Sequence, residues 1–143
     1  MTLQNVPRWA WELLDSERVA RLALLDADGR PRVLPVTFAL AEGAIWSVID
    51  DKPKRTPEPA RVRWLRRRPH AALLLDVYDD DWSRLAWLQL LGEITVIEID
   101  AAPAAAEALA ARYVPYAEQP PPGPLLRLEV SRALHWRADE WPC

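Results

Sequence analysis

Lys52-Pro53-Lys54-Arg55 gathers three cations around one proline in a chain whose formal net charge is −3. Residues 51–70 hold eight Lys or Arg against Asp51 and Glu58, so this stretch carries +6 while the remainder carries −9. Cations segregated in this way raise the local potential and make a place for an anion. Of the 18 basic residues only two are lysines, and both lie in this cluster. Two compact ammonium groups beside the planar fork of Arg55 suit a phosphate, which accepts charge-assisted hydrogen bonds from both.

Other chemistries are poorly supplied. Cys143 is the single cysteine, so there is no disulfide framework, no CxxC and no Cys/His set for zinc. His70 and His135 stand apart from any serine or carboxylate at an informative spacing, and neither is assigned as a catalytic acid or base. Asp79-Asp80-Asp81 lacks the alternating carboxylates and glycine of a calcium loop and reads as an acidic turn; no metal site is expected. Trp64 lies between Arg63 and Arg66 in the manner of a base-stacking platform, but a short basic patch in an acidic chain argues against a nucleic-acid partner.

The elements that must position the cations follow from periodicity and punctuation. With 143 residues, the chain suits one domain, 1–143, able to bury about two-thirds of its unfolded surface. No run approaches the roughly 20 apolar residues of a membrane helix, and the N-terminus has neither a basic nor an apolar leader region, so a soluble cytoplasmic protein with no membrane partner is expected. Trp9 to Leu14 reads as a short helix after Pro7. Val19 to Leu25 and Arg32 to Leu40 read as a hairpin whose turn uses positive φ at Asp28-Gly29, and Ala44 to Ile49 extends it to a three-stranded meander. Glu58 to Arg67 is a helix ended by Pro69, with Arg63, Arg66 and Arg67 on one face. Two strands follow, Ala71 to Tyr78 and the long Leu85 to Ile99, with a bulge or bend expected at Gly92. Asp100 is placed to cap a helix from Ala101 to Arg112; Pro115 to Pro124 reads as an extended spacer, and Leu125 to Val130 as the last strand. The fold class is therefore mainly β, a six-stranded antiparallel barrel with peripheral helices.

This order of elements resembles the split β-barrel family of flavin- and deazaflavin-binding oxidoreductases related to pyridoxamine phosphate oxidases. The resemblance runs over nearly the whole chain. Gly29-Arg30-Pro31 before Pro35-Val36-Thr37-Phe38, Asp50-Asp51-Lys52-Pro53-Lys54-Arg55, Leu74-Leu75-Asp76-Val77-Tyr78 and Asp81-Trp82-Ser83-Arg84-Leu85 are similar to a subgroup of coenzyme F420-dependent oxidoreductases. The chain departs from that subgroup on the short helix, where Arg63-Trp64-Leu65 replaces an Arg-Asn-Ile/Leu element, and in the long strand, where Ala86 stands in place of an aromatic.

A flavin-type cofactor presents a planar tricycle, a polyhydroxy chain and a phosphate, and so requires an apolar wall, a few polar donors and local positive charge. The resemblance implies F420, or FMN in its place, with Lys52, Lys54 and Arg55 on the phosphate, Pro35, Val36 and Thr37 flanking the ring, and Ser47, Val48 and Ile49 on the strand beside the loop. It implies a homodimer with the ring at the subunit interface, so that Trp82 or Trp87 touches the partner's cofactor. The oligoglutamate tail of F420 would suit Arg61, Arg63 or the Arg66-Arg67-Arg68 run. The expected activity is hydride transfer from reduced F420 to a small unsaturated or carbonyl-type substrate, with no residue assigned as proton donor. A non-catalytic flavin or haem binder of the same fold is the alternative, and haem would need His70 or His135 as axial ligand.

Overall fold

The computed structural model of the chain describes residues 2–49 and 58–140. Four helices, α1 (Arg8–Ser16), α2 (Ala60–Arg67), α3 (Pro103–Arg112) and α4 (Val114–Glu118), surround seven strands: β1 (Ala20–Leu25), β2 (Pro31–Val36), β3 (Ala39–Ala41), β4 (Ala44–Val48), β5 (His70–Val77), β6 (Ala86–Ile97) and β7 (Leu125–Arg137). They form one antiparallel sheet in the order β2-β1-β5-β6-β7-β4-β3.

That order places β2 and β3 at opposite edges, yet only Thr37 and Phe38 separate them in sequence. Three Cα steps span at most about 11 Å. The two edges must therefore lie side by side, and the sheet is rolled on itself. Among the described residues β2 and β3 share no ladder, so the roll stays open along this seam. The expected strand from Arg32 to Leu40 is thus two strands, and the barrel has seven rather than six. The expected meander holds where β4 pairs with β3, the end of the expected Arg32–Leu40 run; the other edge of β4 takes β7.

Strand alternation divides the core. Leu22, Leu24, Leu73, Leu75, Leu88, Leu90, Ile45 and Leu128 fill the interior together with Phe38, and α1 adds Ala10, Leu13 and Leu14 at helical spacing, as does α2 with Val62 and Leu65. The opposite face of β4 is buried as well, with Trp46 and Val48 packing against Ala105 and Leu109 of α3 and Tyr116 of α4. A strand buried on both faces needs a cover on each, and α3-α4 is the outer cover.

The β1–β2 turn is built around Asp26, whose Oδ1 accepts the amides of Asp28 and Arg30 at 3.0 Å each. Donation from the Arg30 amide, joined by that of Asp28 and by the Arg32 and Arg30 charges, holds its carboxyl below the ordinary value. Gly29 alone takes a positive φ there (+76°); Asp28 does not. Other elements differ at their ends from the sequence reading. β7 continues to Arg137 because it pairs with β6 along the whole length of that strand. Ala102, not Asp100, precedes α3, since Asp100 is held in a 3-10 turn. Within the expected spacer, Pro115 sits in the first turn of α4, where its missing N–H costs nothing.

At Gly92 the β6–β7 register shifts, and a Cβ there would meet the Glu129 carbonyl oxygen at 1.9 Å. Backbone cannot yield as a side-chain tip does. Gly92→Ala is expected to lower stability by about 3 kcal/mol in urea unfolding; a variant as stable as the unaltered chain would show that β6 and β7 approach less closely than described.

Candidate functional site

Where the two sheet edges meet, a cavity of about 180 Å³ opens, lined by Val19, Pro35, Val36, Thr37, Ser47, Val48 and Arg61. Each element delivers its residue for a local reason. Pro35 is tolerated because β2 is an edge strand, and it lies opposite Arg21 of β1. Thr37 belongs to the seam itself. Ser47 and Val48 end β4, and Arg61 comes from the first turn of α2, which Val62 and Leu65 anchor in the core. Five of the sequence-derived candidates, Pro35, Val36, Thr37, Ser47 and Val48, therefore meet in one place. With Arg61 they bring apolar walls, two hydroxyls and one guanidinium together.

The remaining candidates are placed differently. Ile49 is a core residue whose amide donates to the Pro124 carbonyl at 3.0 Å. Arg63 projects away and donates Nη1 to the Glu58 carbonyl at 2.5 Å. Trp82 is 68 % exposed in a 3-10 turn, Trp82–Arg84, and Trp87 is 36 % exposed on the outer face of β6 opposite Trp136. Neither tryptophan lines the seam cavity within its own chain. Lys52, Lys54 and Arg55 lie outside the described residues. The described chain on both sides of them, at Val48 and at Arg61, borders the cavity.

The arginines of the basic segment divide into distinct tasks. Arg66 meets the Glu58 carboxylate through Nε at 3.0 Å and Nη2 at 3.3 Å. Arg68 donates Nη1 to the carbonyls of Asp26 and Ala27 at 3.3 and 3.0 Å, tying α2 to the β1–β2 turn. Trp64 packs on the core with the Arg32 guanidinium 4.9 Å above its ring. The helix is thus no uniform cationic face; Arg61 is the member that reaches the seam.

Sequence reasoning missed the group that shapes this cavity from behind. Tyr113 and Tyr116, at the α3–α4 junction, both bond to the seam. The Phe38 amide donates to the Tyr113 hydroxyl at 3.1 Å, and that hydroxyl lies 2.8 Å from the Arg18 carbonyl and 3.0 Å from the Phe38 carbonyl. The Tyr116 hydroxyl is 2.7 Å from Thr37 Oγ1. Arg112 lies over the Phe38 ring at 4.8 Å and donates Nη2 to the Leu14 and Glu17 carbonyls. Two of the chain's three tyrosines standing three apart beside Pro115 were the available signal, since a buried tyrosine ordinarily seeks a polar partner for its tip.

A larger groove of about 710 Å³ crosses the sheet near Gly92, with Ala23, Ala71, Ala72 and Leu91 as its floor and His70, Glu93 and Glu129 at its edge. His70 Nδ1 is 3.6 Å from Glu93 Oε1, both side chains being exposed. His135 meets the Trp9 ring edge-on at 5.7 Å. Two carboxylates at the rim make this groove unsuited to a phosphate, and the smaller seam cavity is the better candidate on charge. Among the described residues no three His, Cys, Asp or Glu side chains converge on a metal position.

Comparison with known proteins agrees with this architecture. The family model described as pyridoxamine 5'-phosphate oxidase matches residues 10–137. The chain belongs to that family. Among solved structures, a conserved hypothetical protein of Mycobacterium tuberculosis has the same fold at 20% identity, covering 96% of this chain and 90% of that one with a TM-score of 0.76. A FAD-binding protein of Mesorhizobium loti is 17% identical over 91% of this chain and 94% of its own, with a TM-score of 0.66. A haem storage protein of Vibrio cholerae is 16% identical over 90% and 92%, with a TM-score of 0.68. No curated protein matches the chain. Membership of the pyridoxamine 5'-phosphate oxidase family thus comes with a split barrel whose neighbours hold different prosthetic groups. No helix among the described residues is long and apolar enough to cross a membrane.

Trp82 is presented by a turn that depends on a carboxylate. Asp81 Oδ1 accepts the Ser83 hydroxyl at 2.7 Å and the Ser83 amide at 3.1 Å, and these bonds hold the Asp81 carboxyl below its ordinary value of 3.8. The stabilisation is complete above that ordinary value and is lost as pH falls through the lower folded value. NMR titration of the Ser83 amide is expected to show a midpoint below pH 3.8, absent in Asp81→Asn; a midpoint at or above that value would contradict the turn's geometry.

Proposed function

We propose that the chain is a homodimeric oxidoreductase that holds a flavin-type cofactor, F420 in preference to FMN, at the seam between β2 and β4. The observation that carries this reading is the seam cavity, where Pro35 and Val36 supply an apolar wall, Thr37 and Ser47 hydroxyls, and Arg61 a cation. In this reading Lys52, Lys54 and Arg55 join Arg61 on the phosphate. Arg67, exposed at the end of α2, adds charge for an anionic tail such as that of F420, which FMN lacks. When bound, such a cofactor supplies hydride for a small unsaturated or carbonyl-type substrate. The chain's own residues bind, orient and exclude water.

Size supports the homodimer. About 180 Å³ is below the usual 300–1,000 Å³ of a ligand site, so one chain encloses only part of a tricyclic ring. The outer sheet face carries exposed Val33, Leu74 and Trp87 beside exposed Val19 at the cavity. A second copy on this face would cover apolar surface that otherwise meets water and would complete the wall.

Binding is tested by titrating FMN and F420 against tryptophan fluorescence. Micromolar affinity is expected for at least one of them, tighter for F420. Arg61→Gln should weaken it about 10-fold or more and reduce its dependence on salt. Replacing Lys52, Lys54 and Arg55 together by Ala should weaken it further. Affinity for neither cofactor would end both redox readings.

Haem is the second reading, favoured by His70 at the rim of the apolar-floored groove near Gly92. Glu93 and Glu129 oppose it, because they would face the carboxylates of the porphyrin. A Soret band that disappears in His70→Ala would favour haem over a flavin.

A further inference from the structure

We infer that two copies of this chain face each other across the outer surface of β1, β5 and β6, set in register by reciprocal ion pairs between Arg21 of one copy and Asp76 of the other. The inference rests on the homodimer reading and adds to it the contact that fixes how the copies meet. Alternation defines the surface. Leu22 and Leu24 of β1, and Leu73 and Leu75 of β5, fill the core, so Arg21 and Ala23, and Ala72, Leu74 and Asp76, point outward. An antiparallel sheet with one face in water ordinarily turns polar side chains to that face. Here Val33, Leu74 and Trp87 stand exposed on it, whereas the outer face of β4 is covered by α3 and α4.

The face complements itself in relief and in charge. Large side chains, Leu74 and Trp87, stand beside a groove whose floor includes Ala23 and Ala72. Arg21 lies directly across from Leu74, and Asp76 follows Leu74 on the same face of β5. The two charges are opposite and exposed, and among the described residues the side chain of neither is engaged in an ion pair or hydrogen bond. A partner for this face therefore offers an anion opposite Arg21, a cation opposite Asp76 and an apolar surface between them, and a second copy offers all three.

A two-fold axis in the plane of the contact, running between Arg21 and Asp76 beside Leu74, lays each Arg21 on the Asp76 of the other copy and Leu74 near its own counterpart. The pair then forms twice. Association withdraws these groups from water, where leaving either without a partner is costly, so the pairs select one register over others. That register has a consequence for the site. Arg21 is paired across the β1–β2 ladder with Pro35, which lines the seam cavity, so the second copy is brought to the edge of the proposed cofactor site.

Sedimentation velocity over a concentration series measures association of the full chain, of Arg21→Glu, of Asp76→Arg and of an equimolar mixture of the two variants. Each variant alone sets like charges against each other twice and is expected to dimerise about 100-fold more weakly than the unaltered chain. In the mixture every facing pair is again of opposite sign, so heterodimers are expected within about 10-fold of the unaltered affinity. Rescue by mixing also shows that neither variant lost association through misfolding, since each chain enters the mixture unchanged. Variants that dimerise like the unaltered chain, or a mixture that associates no better than its components, would overturn the inference while leaving the homodimer standing. An unaltered chain that stays monomeric throughout the series sinks the homodimer reading, and this inference with it.

Discussion

Thr37 and Phe38 carry the chain from one edge of the sheet to the other, and the rest of the molecule is arranged around the shortness of that link. A two-residue connection between edge strands leaves no freedom for a flat sheet, so β1, β5, β6 and β7 must curl until β2 and β3 are neighbours. Where the edges meet they do not pair, and Phe38 loses the ladder that would have satisfied its backbone. The Tyr113 hydroxyl accepts the Phe38 amide, as a buried peptide group requires, and shares its one proton between the Arg18 and Phe38 carbonyls. The same unpaired seam is what leaves a cavity at Pro35, Thr37 and Ser47. Closure of the barrel and creation of the candidate site are one event.

Charge is organised around that event. The basic segment follows β4 and enters α2, and its Arg61 lines the seam cavity. Part of this charge is consumed by the fold: Arg66 on Glu58, Arg68 on the β1–β2 turn, and Arg32 over Trp64. Arg61 lines the cavity, its position in the first turn of α2 being set by the burial of Val62 and Leu65. The larger groove near Gly92 has the opposite sign at its rim, with Glu93 and Glu129, so size alone is a poor guide to where an anionic ligand goes.

Much of this was legible in the sequence, and the failures have a common cause. The hairpin turn at Gly29, the bulge at Gly92 and the helices over residues 8–16, 60–67 and 103–112 are local matters, signalled by glycine, proline and apolar spacing. The break at Thr37-Phe38 carries no such signal, because Pro35 to Leu40 reads as one extended run; only the competition between two sheet edges divides it. The non-sequential pairs β1–β5 and β4–β7 were hidden for the same reason, since periodicity says which face a residue takes but not which strand it meets. Of the site, Pro35, Val36, Thr37, Ser47 and Val48 were found through a resemblance and do converge. Ile49, Arg63, Trp82 and Trp87 do not join them within one chain, and the Tyr113–Tyr116 pair was hidden in a stretch whose prolines suggested a spacer.

The central claim is that the seam, rather than the larger groove, is where this chain meets its ligand. Amide hydrogen exchange followed by mass spectrometry, with and without saturating F420 or FMN, tests this most directly. New protection is expected at residues 36–38 and 47–49 and in the first turn of α2. Protection confined to His70–Ala72 and Leu91–Glu93, with the seam unchanged, would contradict it.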